Sequence, residues 1–237
     1  MDQSAFVQNR LLAALPPDEL RSLNPRTIDP PLATVLQEAH APIEYVYFPL
    51  DGLISLVVRM REGAAIETGV IGHDGAEGTM VALGLERAYT TATVQVPGRM
   101  MRTTAADFMA AYQRSRRLAA LVNRYHGALF FQGKQLIGCN ALHSAEERLA
   151  RWLLMVRDRI DRTRLPLTHE FLAQMLAVRR TTVTEALGIL QERGVVRQYR
   201  GAIEILDQDQ LNQIACECYD VIRTEQAELL ARTPTLA

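Results

Sequence analysis

Cysteine is scarce in this chain: three residues in 237, none of them before Cys139. So small a set builds no disulfide framework. Long apolar runs are missing too, which excludes an ordinary membrane-spanning helix. The opening MDQSAFVQNR has neither the basic start nor the apolar stretch of a secretory leader. A cytoplasmic chain without membrane contact is expected. No His-Glu-x-x-His, Walker loop or nucleophile elbow occurs. No catalytic residue is therefore assigned, and an enzyme is not expected.

Net charge is nearly absent, −1 overall, but it is unevenly distributed. Residues 1–113 carry 8 basic and 13 acidic side chains, and residues 202–237 carry 2 and 7. Between them, residues 114–143 carry 5 basic and no acidic side chains, and residues 144–201 carry 11 and 7. Positive charge is thus concentrated where a polyanion would be met. The acidic tail reads as a solvated helix. Hydrophobic residues at 48% and charged residues at 22% are ordinary for a globular chain long enough for two domains.

Residues 165–206 carry the sharpest pattern. Thr168 is placed to cap a helix with Glu170 in its first turn. Phe171, Leu172, Met175 and Leu176 recur at helical spacing, and Ala173 is small where a second helix would cross. A second helix is predicted from about Arg179 or Arg180 to Glu192, with Val183, Ala186, Leu187 and Leu190 inward. Gly194 follows as its stop. Residues 195–199 and 202–206 read as two strands around a turn at Arg200–Gly201. This is a winged helix-turn-helix, which lays its second helix in the DNA major groove. The other face of that helix carries Arg179, Arg180, Thr181, Thr182, Thr184 and Glu185. Arg reads guanine in a bidentate way, Thr touches thymine methyls or bonds base edges, and Glu accepts from cytosine. With Thr168 and the wing residue Arg200, these form the candidate DNA-binding set.

Upstream, residues 9–23 read as short helices broken by Pro16 and Pro17. Strands are predicted at 43–48, 53–60, 65–71, 91–96 and 99–103, separated by Gly and Pro turns. That rhythm suggests a double-sheet roll. Residues 115–137 lack proline, and Leu118, Leu121, Val122, Tyr125, Leu129, Gln132 and Leu136 form an apolar stripe. Such a stripe is long enough for a parallel helix pair, or for packing on the chain's own roll. A hinge is predicted near residues 138–140, followed by an amphipathic helix over 145–160 and a short polar linker.

The chain resembles the cyclic-AMP receptor protein and fumarate–nitrate regulator (Crp/Fnr) superfamily of bacterial transcription regulators. The likeness covers most of the chain and is most specific between Leu167 and Leu190. Arg180, Thr182 and Val183 keep the family's Arg-Glu-Thr-Val-x-Arg pattern, whereas Thr181 and Glu185 depart from it, so a different operator is implied. The resemblance implies an α+β fold: a cyclic-nucleotide-binding-like β-roll (residues 1–112), a central dimerisation helix (113–142), and a winged helix-turn-helix with a C-terminal helix (143–237). It also implies a homodimer on an inverted-repeat double-stranded DNA site, and contact with RNA polymerase if the protein activates.

Fold does not grant a ligand. The candidate effector region is Gly72, His73, Asp74, Arg87, Thr90 and Thr91. Family members that bind cyclic AMP hold its phosphate with an arginine, and that position here is Thr90. A phosphate without its cation loses its strongest contact, so no cofactor is expected and cyclic AMP is disfavoured. Gly72, Gly75 and Gly78 read as turn residues. Another effector, or an unliganded roll, stays open. Iron–sulfur members carry N-terminal cysteines, which are absent here. Haem would need an axial ligand such as His73 or His126, each read as structural. Cys216 and Cys218 are predicted on one helix with side chains facing apart, so neither a metal site nor an internal disulfide is expected.

Overall fold

The side chain of Asn9 accepts hydrogen bonds from Leu11 N and Leu12 N and so starts the first helix. The protein is described here from a computed structural model covering residues 8–63 and 65–231. The outermost parts of the terminal domain assignments, including residues 1–7 of the leader reading, lie outside the described residues. Two short helices, α1 (Arg10–Ala13) and α2 (Pro17–Ser22), flank the Pro16–Pro17 break as predicted.

Seven strands follow: β1 (Arg26–Ile28), β2 (Val35–Gln37), β3 (Tyr45–Pro49), β4 (Leu53–Arg59), β5 (Ala65–Ile71), β6 (Thr91–Val96) and β7 (Met100–Thr104). They form two antiparallel sheets, ordered β2-β6-β4-β5 and β1-β7-β3. Tyr47, Ile54, Ile71, Ala92, Val94 and Met100 make one buried cluster in this roll. The short strands β1 and β2 were not anticipated, because three residues carry too little alternation to register.

Thr104 caps α3 (Ala105–Arg114), and Ser115 caps α4 (Arg116–Leu142). One expectation fails at α4, and one open alternative is decided. The hinge predicted at residues 138–140 does not exist: the helix runs unbroken through Gly138 and ends at the extended residues His143 and Ser144. Glycine costs a helix only about 0.5–1 kcal/mol, and the buried Cys139 holds the last turn in place. Most of the predicted stripe packs on the chain's own roll, the second of its two readings. Leu118, Leu121, Val122 and Tyr125 are buried in the chain's own roll core, and Gln132 is buried against Arg159. The exposed face of α4 carries Asn123, Gly127, Phe130, Lys134, Ile137 and Ala141.

Ser144 and Glu147 close a capping box at the head of α5 (Ala145–Ile160). Then come β8 (Arg164–Leu165), α6 (His169–Leu176), α7 (Arg180–Glu192), β9 (Val196–Tyr199), β10 (Ala202–Ile205), α8 (Gln208–Ile214) and α9 (Cys218–Ala231). The wing sheet is β8-β10-β9, so part of the predicted linker is a strand. The last helix does not stay solvated in the DNA-binding domain. Cys218, Tyr219 and Ile222 are buried, Gln135 of α4 donates to Cys218 Sγ (3.1 Å), and Gln226 donates to Asp74 of the roll (2.9 Å).

Leu53, Val57, Val70 and Val96 of the roll share one core with α5, α6 and α7. The winged helix is therefore docked on the roll. Trp152 Nε1 donates to Glu67 (2.6 Å), Ser55 Oγ also bonds Glu67 (2.8 Å), and Arg159 pairs with Asp74 (3.1 Å). No described helix is long and apolar enough to cross a membrane.

Candidate DNA-binding surface and effector region

Thr168 Oγ accepts from Phe171 N (3.2 Å) and starts α6, which ends at Ala177 in the left-handed region (φ 51°). That residue makes the turn. Arg179 is the extended N-cap residue of α7, and buried Val183, Ala186, Leu187 and Leu190 press the helix onto the core. The inward face settles the outward one. Arg179, Arg180, Thr181, Thr184 and Glu185 are exposed, and Thr182 is half-buried. Among the described residues, neither Arg179 nor Arg180 is held in an ion pair, so both guanidiniums keep their donors free for a ligand. The start of α7 also turns its positive end outward, favouring phosphate.

Two members of the set have structural duties. Thr168 is a cap and lines a cleft of about 290 Å³ between α6 and the roll. Thr184 Oγ donates to Arg180 O (3.1 Å) and lies 3.0 Å from His169 Nδ1, whose Nε2 is 2.9 Å from Gln198 of the wing. His169 thus ties α6, α7 and β9 together. Sequence reasoning missed it because its partners are 15 and 29 residues away. On the wing, Arg200 is exposed beside Gly201 (φ 76°), which makes the tight turn. Arg197 is exposed on β9 as well, a position that alternation with buried Val196 would have flagged.

The six effector-region residues are held by different partners. Arg87 is exposed and donates to His40 O (2.8 Å). Thr90 is half-buried, and Thr91 Oγ accepts from Ala39 N at 3.4 Å. Gly72, His73 and Asp74 pack against Arg159 of α5. A Cβ on Gly72 would lie 2.5 Å from Arg159 Cβ, and one on Gly75 would lie 2.4 Å from the Tyr125 hydroxyl. The chain's own atoms fill this Gly-rich loop. Tyr125 donates to Ala76 O (3.0 Å), and burial drives its hydroxyl pKa far up. His73 and Asp74 line an interdomain cavity of about 460 Å³ together with Arg10, Arg159, Tyr219 and Gln226. His126 lies 3.0 Å from Thr79 Oγ, and burial lowers its pKa.

The cysteines are where sequence reasoning went wrong. Cys216 is not on a helix with Cys218; it sits in the break between α8 and α9. Both thiols therefore turn to Cys139 at the end of α4, with Cys216 Sγ 3.5 Å from Cys139 Sγ. His143 Nδ1 lies 3.7 Å from Cys218 Sγ. The Cys216 hydrogen bond pulls the Cys139 thiol down to about 5, while burial raises Cys218.

Two antiparallel sheets, a long helix and a docked winged helix make up the fold, and the exposed face of α7 is its candidate DNA-binding surface. Residues 147–214 match the sequence model of the Crp-like helix-turn-helix domain. The fold is shared with FixK2 of Bradyrhizobium japonicum, at 15% identity and TM-score 0.69 over 81% of this chain and 98% of that one. It is shared with TTHB099, a Crp-family transcriptional regulator of Thermus thermophilus, at 16% identity and TM-score 0.66 over 80% and 96%. It is shared also with CLP of Xanthomonas campestris, a c-di-GMP-responsive global regulator, at 13% identity and TM-score 0.65 over 80% and 99%. No curated protein sequence matches the chain. The chain thus shares the fold of Crp/Fnr-type transcription regulators, and residues 147–214 are similar to the Crp-like helix-turn-helix domain.

Proposed function

We propose that the protein is a cytoplasmic, homodimeric transcription regulator that reads an inverted-repeat operator and does not respond to cyclic AMP. It works by binding DNA rather than by catalysis. The carrying observation is the exposed set Arg179, Arg180, Thr181 and Glu185 on α7, backed by Arg197 and Arg200 on the wing. Arg180 supplies bidentate base contact, the threonines adjust to neighbouring edges, and the wing arginines hold phosphates.

Dimerisation rests on the exposed face of α4. Asn123, Gly127, Phe130, Lys134, Ile137 and Ala141 follow a strict alternation of four and three, the spacing of a parallel coiled-coil seam. Phe130 is 67% exposed and Ile137 is 73% exposed, a poor state for large apolar side chains unless a second copy covers them. Two reading helices about 34 Å apart then match one DNA turn. In an activator, the same dimer would also touch RNA polymerase.

Cyclic AMP is disfavoured because Thr90 brings no charge, Arg87 is engaged with His40, and Tyr125 and Arg159 occupy the loop that would cradle a phosphate. The test is operator selection from random DNA, then anisotropy titration at fixed salt. Palindrome-specific binding indifferent to cyclic AMP is expected. Arg180→Ala should cost about 1–3 kcal/mol of that binding. Full retention of specific binding by Arg180→Ala overturns the reading-helix assignment, and strong enhancement by cyclic AMP overturns the effector argument.

A further inference from the structure

We propose that Cys139, His143, Cys216 and Cys218 form a mononuclear site for a thiophilic divalent cation of the zinc type, at the junction of the central helix and the DNA-binding domain. Their four ligand atoms lie within 4.8 Å of one another. A tetrahedral zinc site places two thiolate sulfurs about 3.8 Å apart, and a sulfur and an imidazole nitrogen about 3.6 Å apart. The observed Cys139–Cys216 and Cys218–His143 separations are 3.5 and 3.7 Å. The ligands of a multi-iron cluster, held on different metal atoms, would stand farther apart.

The surroundings point the same way. Metal-ligating histidines commonly give their second ring nitrogen to a carboxylate, and His143 Nε2 lies 3.1 Å from Glu217. Gln135 Nε2 donates to Cys218 Sγ, as a thiolate requires. Three thiolates and one divalent cation leave a net negative charge. Two guanidiniums that act electrostatically on Cys139, Arg148 and Arg151, are 8% and 4% exposed, and each has an Nε with no hydrogen-bond partner among the described residues. Neither has a carboxylate partner among the described residues, so an anionic metal–thiolate centre supplies their missing counter-charge.

The ligands come from the last turn of α4, its C-cap residue, the α8–α9 break and the first residue of α9. Loading therefore staples α9 to α4 and holds the junction through which the roll and the reading helix are joined. The three thiols are free here, and a Cys139–Cys216 disulfide is the competing use of the same atoms.

The test is cobalt(II) titration of reduced, chelator-treated full-length protein, with metal analysis of the protein as purified. The expected result is one cobalt per chain with sulfur-to-cobalt charge-transfer absorption, displaced by zinc, and a thermal midpoint raised by zinc. Cys139→Ser and Cys216→Ser should abolish the absorption. Glu217→Gln, on a side chain 71% exposed, should leave the fold intact and weaken cobalt about 10–100-fold. Three titratable thiols with no cobalt absorption would overturn the proposal. So would a Cys139–Cys216 disulfide in protein that takes no metal after reduction, or iron with sulfide in the purified protein.

Discussion

Replacing Asp74 with alanine strands a buried guanidinium. Arg159 and Asp74 have side chains 6% and 9% exposed and lie 3.1 Å apart across the boundary between the roll and α5. Asp74 also accepts from Gly72 N (3.2 Å) and from Gln226 (2.9 Å), so one carboxylate serves the loop, α5 and α9 together. Breaking a buried pair by removing one partner costs about 3–5 kcal/mol, because the other charge stays desolvated. For a chain of this size that is roughly 6–20 °C in thermal midpoint, at about 2–4 °C per kcal/mol. Calorimetry of Asp74→Ala, Arg159→Met and the double variant measures it. The double variant should cost less than the sum of the singles by more than about 1 kcal/mol, since no orphan charge remains. A cost for Asp74→Ala under about 0.5 kcal/mol, or strict additivity, refutes the claim that this pair latches the domains.

Other outcomes can be checked alongside. Ile137→Asp places a charge on the exposed face of α4 and should leave a monomer in sedimentation where the unaltered protein runs as the proposed dimer; an unchanged dimer removes α4 as the interface. Burial pushes the Glu67 carboxyl up to about 7 from 4.5, so the folded chain keeps a proton that the unfolded chain has lost. That stabilisation is fully present below about pH 4.5 and is lost as pH rises through about 7. Glu77 is raised by the same cause. Glu67→Gln keeps the Trp152 hydrogen bond and should flatten the decline of the thermal midpoint over that window; an unchanged slope counts against the buried proton. Gly78 has φ 85°, and a Cβ there would sit 2.3 Å from Tyr45 O. Gly78→Ala should lose at least about 1–3 kcal/mol in urea unfolding, and a neutral result would mean the loop relaxes freely.

Local pattern made much of the protein legible. The ends of α5 and α7, the cap at Thr168, the stop at Gly194 and the wing turn were all readable, because caps, turns and helical periods involve residues a few positions apart. The outward face of α7 followed, since placing Val183, Leu187 and Leu190 inward leaves Arg180 and Thr181 outward. Tertiary structure decided the rest. Periodicity showed that α4 has an apolar stripe but not what covers it, and the roll took Leu121 and Tyr125 while Phe130 and Ile137 were left outside. Likewise Asp74 was grouped with Thr90 in one candidate effector region, yet its partners are Arg159 of α5 and Gln226 of α9. The thiol cluster joins residues 77 apart, and only the helix break at Cys216 lets both late cysteines reach Cys139. Periodicity within one segment carries no record of such a meeting, because it depends on how α9 folds back along α4.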